Sequence, residues 1–316
     1  MNRTAPVELA QIGLDHNQFK YSDDRSWRGP CPVCGGHRRF VVFTDHEWPM
    51  WNGWCDDCGK TIKAWQVVTC QITDEQRASA QAKAAEYERI REQHRREMLA
   101  RFTTAELWQE LHRRLSAEHI AQWEAWGVPV EWQNYLELGY TPDKAYYDAE
   151  GTLRHTPAYT IPYFHYNETA QDQKQFSTMQ YRLFNADNPA DRYRFEHGLP
   201  ATYYQTVPTD PIGDETVICE GAKKGIVTRI SLTNLCVLAV PSKGSWGGIV
   251  EAVKQCGRVY VVLDPDAKQN AVKLARSIGS QARIIRLPIK IDDAVIDHGL
   301  SADAFKNILK QSWRVS

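Results

Sequence analysis

An α/β fold with a largely parallel sheet is what the C-terminal part of this chain predicts, and three observations carry the prediction. Val217-Ile218-Cys219 is an apolar run that stops at Glu220-Gly221. Leu235-Cys236-Val237-Leu238-Ala239-Val240 stops at Pro241-Ser242, and Val259-Tyr260-Val261-Val262-Leu263 stops at Asp264-Pro265-Asp266. Such short β-rich runs separated by helix-length segments are the pattern of strands buried on both faces by helices. In such a sheet the C-terminal strand ends gather on one edge, where ligands bind. Glu220, Asp264 and Asp266 are thereby delivered to one rim. Like charges so gathered need a cation or hydrogen bonds to stay ionised, and hard oxygens suit Mg²⁺ or Mn²⁺. Taken singly, each is equally an ordinary strand-end or helix N-terminal acid.

At 316 residues the chain has room for two or three domains. Its 38 Lys and Arg against 39 Asp and Glu exclude an overall basic field, so any nucleic-acid contact must use local patches. No apolar run approaches the ~20 residues of a membrane span, and no signal-peptide layout opens the chain. Four cysteines fall in two Cys-x-x-Cys pairs while Cys219, Cys236 and Cys256 sit in or near the α/β core. That usage suggests metal binding in a reducing compartment, the cytoplasm, rather than a disulfide framework.

From the N-terminus, residues 7–14 suit a short helix. Cys31-Pro32-Val33-Cys34 and Cys55-Asp56-Asp57-Cys58 then form two knuckles that favour one tetrahedral, structural Zn²⁺. His37 and His46 are spare candidates. Between the knuckles, Arg38-Arg39-Phe40-Val41-Val42-Phe43 and the segment 48–54 read as a hairpin. Its aromatics beside Arg38 and Arg39 suit single-stranded nucleic acid, or else form the mini-core of the module. A helix over 62–70 closes this module. Residues 74–101, rich in Ala, Glu, Arg and Gln, predict a long solvated helix, since only Tyr87, Ile90, Met98 and Leu99 are apolar enough to pack. Thr104 and Ser116 are expected caps of two further helices, the second ending at Gly127-Val128-Pro129.

Residues 159–164, 179–184 and 192–195 predict strands in which Arg182, Arg192 and Arg194 interrupt aromatic residues. Alternation sends Tyr181 and Leu183 to one face and Arg182 to the other. A basic sheet ahead of an acidic rim makes a cleft for a polyanion; the alternative is the wet face of a half-buried sheet. After Glu220-Gly221 a helix over 222–230 brings Lys223 and Lys224, of which at most one is expected at the rim. Lys243, in the loop after the middle run, suits an anion. A helix over 267–278, a strand over 282–287, the acids Asp292 and Asp293, and a closing helix capped by Ser301 complete the chain.

Glu-Gly after one strand and Asp-x-Asp after another resemble the Toprim domain of bacterial-type DNA primases, topoisomerases and certain nucleases. The ribbon Cys31/Cys34/Cys55/Cys58 narrows the resemblance to primases of a phage- or plasmid-like kind. Leu115-Ser116-x-Glu118-x-Ile120, Leu138-Gly139-Tyr140, Ile161-Pro162 and Gln180-Tyr181-Arg182 resemble their basic subdomain. The resemblance implies a zinc ribbon over 1–70, a helical linker over 71–103, a mixed α+β basic subdomain over 104–212 and a Toprim-type, mostly parallel sheet flanked by helices over 213–316. It assigns metal binding to Glu220, Asp264 and Asp266, with Asp292 and Asp293 as a further acidic pair. Arg182 and Arg194 match basic residues near template and incoming nucleotide. Two departures stand out: Lys290 replaces the glycine usual before the acidic pair, and Lys223-Lys224 stand where an acid is frequent.

The implied activity is synthesis of short RNA primers on single-stranded DNA from nucleoside triphosphates, by metal-dependent nucleotidyl transfer. Zn²⁺ would be structural and Mg²⁺ or Mn²⁺ catalytic, the protein a monomer, and any replicative helicase a partner in trans. The alternatives are a Toprim nuclease using the same acids and a non-catalytic single-stranded nucleic-acid-binding accessory protein.

Overall fold

Alternation of inward and outward side chains builds the first sheet. The computed structural model describes residues 6–23, 26–32, 40–44, 48, 51–55, 61–63, 74–104, 107–148, 151–170, 174–186, 192–246 and 248–313. The chain divides into two compact units, Met1–Ile90 and Arg91–Ser316. In the first, β1 (Lys20–Asp23), β2 (Ser26–Gly29), β3 (Phe40–Phe43), β4 (Asn52–Cys55) and β5 (Thr61–Lys63) form an antiparallel meander in sequence order. Trp27, Phe40, Val42 and Cys55 point inward onto Leu9, Ile12, Leu14 and Phe19. The leading helical turn is a 3-10 segment, Val7–Ile12. Gly53 is required, because the Phe40 ring occupies the space a Cβ would fill. The helix expected over 62–70 is corrected at its start: Ile62 and Lys63 extend β5, pairing with Gly53 and Asn52. Residues 64–70 lie outside the described residues.

Helix α1 (Asp74–Thr104) follows from its Ala, Glu, Arg and Gln content. Tyr87 and Ile90 are exposed, as a solvated arm requires. Its last turns depart from that expectation: Phe102 is 1% exposed and stacks on Phe176 at 5.1 Å, with Met98 and Leu99 beside it. Thr104 ends α1 instead of capping the next helix. Then come α2 (Leu107–Arg113), α3 (Ala117–Ala125) and α4 (Val130–Tyr135). Ser116 caps α3 through a reciprocal box, its Oγ accepting from His119 N at 3.3 Å while its own N donates to His119 Nδ1 at 3.2 Å.

A four-stranded antiparallel sheet follows in the order β6 (Gly139–Tyr147), β7 (Leu153–Tyr166), β8 (Lys174–Leu183), β9 (Tyr193–Phe195). The strands expected over 159–164 and 179–184 begin earlier than expected, the one expected over 192–195 is shorter, and β6 is added. The last sheet comprises β10 (Tyr204–Gln205), β11 (Glu215–Glu220), β12 (Cys236–Val240), β13 (Arg258–Val262) and β14 (Ala282–Ile284). Its order is β10-β12-β11-β13-β14; the β11/β12, β11/β13 and β13/β14 pairs are parallel, and β10 is an antiparallel edge. Its crossovers carry α5 (Ala222–Ser231), α6 (Ile249–Ala252) and α7 (Lys268–Ile278); α8 (Ile291–Ile296) and α9 (Ala302–Lys310) close the chain.

Alternation splits the parallel strands between two cores. Val217 and Cys219 face Ile226, Phe305, Trp123, Leu138 and Tyr163. Ile218, Leu238 and Val261 face Ile249, Leu274 and Ile278. The first core draws from both the antiparallel and the parallel sheet, which holds the segments 104–212 and 213–316 together. Among the described residues no helix is long and apolar enough to cross a membrane.

Candidate active site: a rim of carboxylates and lysines

Parallel pairing aligns the ends of β11, β12 and β13, with Glu220 opposite Val240 and Cys219 opposite Val262. Glu220 is the last residue of β11. Gly221 then takes φ +81, its N–H donates to Val240 O at 2.9 Å, and α5 begins. A side chain here would meet no neighbour, so glycine is needed for the backbone conformation alone. Past β13, Asp264-Pro265-Asp266 turns through the 3-10 segment Pro265–Ala267, with Pro at its first position. The loop after β12 closes with a bridge between Ser242 and Ser245, holding Lys243 at the same edge. Asp292 enters from the first turn of α8.

Each of three acids meets an ammonium group. Lys224 Nζ lies 2.7 Å from Asp264 Oδ2, Lys223 Nζ 2.7 Å from Asp292 Oδ2 and Lys243 Nζ 2.6 Å from Asp266 Oδ2. The first two pairs are largely buried and the third is open to solvent. Both adjacent lysines of α5 thus reach acids, against the expectation that at most one would. Neighbours on a helix diverge by about 100°, and here acids stand in both directions, one after β13 and one on α8.

Burial, then the charges of Asp264 and Asp266, lift the Glu220 carboxyl above its ordinary range, while Lys224 pulls it back. Burial works against the Lys224 ammonium, yet Asp264, helped by Glu220 and Asp292, holds it above its usual value. The hydrogen bond from Lys243 lowers Asp266. Behind the rim, burial pushes the Cys219 thiol up to about 12, and burial also raises Cys236 and Cys256.

Two carboxylate oxygens, Glu220 Oε2 and Asp292 Oδ1, are buried with no hydrogen-bond partner. Orphaned acceptors of this hardness fit a divalent cation. Among the described residues, however, no group of three or more His, Cys, Asp or Glu side chains is arranged to hold a metal ion. Asp293 follows Asp292 on α8 and is half-buried.

The basic residues divide. The Arg182 guanidinium lies over the Trp126 ring at 4.0 Å, and Lys223 Nζ lies 5.8 Å from the same ring. One indole therefore joins β8 to α5, a role that no local pattern around Trp126 announces. Arg194 pairs directly with Tyr181 across the β8/β9 ladder. Direct partners share a face, and Tyr181 belongs to the core opposite Arg182. Arg194 is thus corrected to the far face, its Nη2 donating to Tyr147 O at 3.4 Å. Arg192, just ahead of β9, is exposed.

In the N-terminal unit Phe40, expected to touch nucleic acid, is 0% exposed and belongs to the core, a correction forced by its pairing with the inward Cys55. Cys31 and Cys55 are both buried there. Cys34, Cys58, Arg38, Arg39, His37 and His46 lie outside the described residues. The open face carries other residues. Lys20, Arg28, Val41, Trp54 and Thr61 are successive cross-strand partners, Val41 itself being buried, and Phe43, Asn52 and Lys63 form the next row. Phe43 and Trp54 are 42% and 43% exposed. Phe40-Val41-Val42-Phe43 is apolar throughout, so alternation alone could not say which face is wet.

No protein-family model matches the sequence, and no curated protein matches it. Solved structures resemble it to different degrees. The zinc-binding and RNA polymerase domains of Aquifex aeolicus primase superpose with a TM-score of 0.52 at 13% identity, covering 98% of this chain and 83% of that one. The primase fragment of the bacteriophage T7 primase-helicase gives 0.39 at 11%, covering 93% and 100%. The RNA polymerase domain of Mycobacterium tuberculosis primase in complex with double-stranded DNA gives 0.47 at 11%, covering 66% and 78%. The Aquifex likeness establishes an α/β fold similar to that of primase domains.

Proposed function

We propose that this protein is a DNA primase, making short RNA primers on single-stranded DNA by metal-dependent nucleotidyl transfer. The observation that carries the reading is the arrival of Glu220, Asp264 and Asp266 at adjoining strand ends, where the Glu220 carboxyl feels the charges of the other two, with the Glu220 Oε2 and Asp292 Oδ1 oxygens buried and unpartnered. Those residues, with Asp293 beside them, would hold Mg²⁺ or Mn²⁺. When bound, the ion supplies charge neutralisation at the triphosphate and an acidified 3′-hydroxyl nucleophile.

The remaining roles fall to the chain itself. Lys243, on the open side of the rim and paired with Asp266, would turn to a phosphate, with Lys223 and Lys224 adding positive charge behind it. Arg182, its plane fixed by Trp126, offers a guanidinium to the polyanion. Cys31, Cys34, Cys55 and Cys58 would hold a structural Zn²⁺, a choice supported by the burial of Cys31 and Cys55 in one small core. Trp54 and Phe43, with Lys20, Arg28 and Lys63 around them, give single-stranded template a face on which bases stack and phosphates are neutralised.

The test incubates zinc-loaded protein with single-stranded DNA of varied sequence, Mg²⁺ or Mn²⁺ and labelled ribonucleotides, and sizes the products. Short primers are expected, and the double variant Asp264→Ala/Asp266→Ala should lose them while still binding DNA. Cleavage of DNA without nucleotides would instead indicate a nuclease. Binding with neither product would leave a replication accessory protein.

A further inference from the structure

We propose that the antiparallel sheet β6–β9 carries a stacking subsite for an unpaired base of single-stranded DNA, with the Phe184 ring as its platform and Arg182 meeting the phosphate beside it. This assignment rests on the reading of the protein as one that works on single-stranded DNA, and it gives a role to the aromatic residues around Arg182. Register sets them in line. Tyr140 pairs with Tyr159, Tyr159 with Arg182 and Arg182 with Tyr193, so each of the four strands places one residue in a single row. Direct partners share a face. At the usual spacing between strands the row is about 14 Å long, a line for a strand more than a point for a small molecule.

The rings on this face brace one another without being used up. Phe184, two residues beyond Arg182, packs against Tyr159 at 4.7 Å and Tyr140 at 5.8 Å. His119, held by the capping box of α3, stacks on Tyr140 at 3.8 Å. Tyr159 is 4% exposed and belongs to the core, whereas Phe184 and Tyr193 are 40% and 39% exposed and Tyr140 and His119 are half-buried. Outer rings immobilised by a buried centre have little freedom left to lose when a ligand arrives. Charge selects that ligand. The Arg182 guanidinium rests on Trp126 at 4.0 Å, and among the described residues no carboxylate pairs with it. At the Tyr159 hydroxyl the charge of Arg182 outweighs that of Glu118. Open aromatic faces around a guanidinium that lacks a carboxylate suit alternating bases and phosphates.

The experiment reads binding, not synthesis. Full-length protein supplied with Zn²⁺ is bound to fluorescent single-stranded DNA in which one base at a time is replaced by an abasic site, and Kd is measured by anisotropy. Removing the stacked base should weaken wild-type binding about 5- to 150-fold. In Phe184→Ala the penalty at that position should vanish, while any position sensed by the N-terminal sheet keeps its own. Phe184→Leu retains an apolar contact with Tyr159 but has no aromatic face; it should behave like Phe184→Ala and replaces it should that variant fail to fold. Phe184→Trp should keep the penalty. The same penalties in the Phe184→Ala and Phe184→Leu variants as in the wild type, or no sensitive position on the wild type, would overturn the inference and leave primer synthesis standing. A wild-type dimer that Phe184→Ala dissociates in sedimentation would give the face to a second copy of the chain and overturn it as well. Absence of any single-stranded DNA binding would overturn both readings.

Discussion

The two sheets that carry the candidate binding groups use opposite strategies. The N-terminal meander is antiparallel and covered on one side, so its other side can display Trp54, Phe43, Arg28 and Lys63 across the strands. The C-terminal sheet is mostly parallel and buried on both sides, so it has no face to offer and works through its ends. A binding surface read along a strand demands knowledge of which side is wet. One read at strand ends demands only where each strand stops, which is why the placement of Glu220, Asp264 and Asp266 at one edge follows from the sequence while Trp54 stays open between stacking surface and mini-core.

The largest expected effect breaks the comparison at the level of stability. On the proposal that Cys31, Cys34, Cys55 and Cys58 hold Zn²⁺, the small first unit should unfold when a chelator is added while the transition of the second unit stays unchanged. Calorimetry with and without chelator checks this; a common shift of both transitions would count against it. Next, Phe40→Ala and Trp54→Ala should behave as opposites although they lie on adjacent strands. Phe40→Ala removes a 0% exposed ring and should cost the N-terminal unit about 3–5 kcal/mol. Trp54→Ala should leave stability within about 0.5 kcal/mol and weaken single-stranded DNA binding by about 1–3 kcal/mol. Urea titration and fluorescence anisotropy separate the two.

A smaller effect tests the strand-end strategy. Gly221→Ala meets no steric neighbour, so it should destabilise by about 1–3 kcal/mol, the cost of holding an L side chain at φ +81 and ψ 140. Its effect on Mn²⁺ affinity should exceed that on stability, because Glu220 is the preceding residue. The smallest concerns pH. His165 is partly buried, its Nε2 lies 2.9 Å from Tyr203 O, and burial holds the ring below its ordinary value of 6.5. The folded state therefore binds fewer protons than the unfolded one. The stabilisation is complete above 6.5 and is lost as pH falls towards the lower folded value. Thermal midpoints measured down this range should fall less steeply in His165→Gln, which cannot titrate.

Much of the fold followed from local chemistry. Ser116 and Ser301 cap the helices they precede, and the apolar runs before Glu220 and Asp264 became β11 and β13. What escaped depends on partners distant in sequence. The side taken by Arg194 is set by its register with Tyr181. The reach of Lys223 depends on where α8 places Asp292. The edge strand Tyr204–Gln205 is too short to have a period. The docking of α1 through Phe102 needs Phe176, which only the folded β8 supplies.

Cysteine chemistry separates the same two regions in a practical way. The Cys219, Cys236 and Cys256 thiols are all held above their ordinary range by burial, and so stay protonated near neutrality. An alkylating reagent therefore finds no ready thiolate behind the carboxylate rim. Protection of Cys31, Cys34, Cys55 and Cys58 from such a reagent by added Zn²⁺ would thus report on the proposed metal site at the other end of the chain.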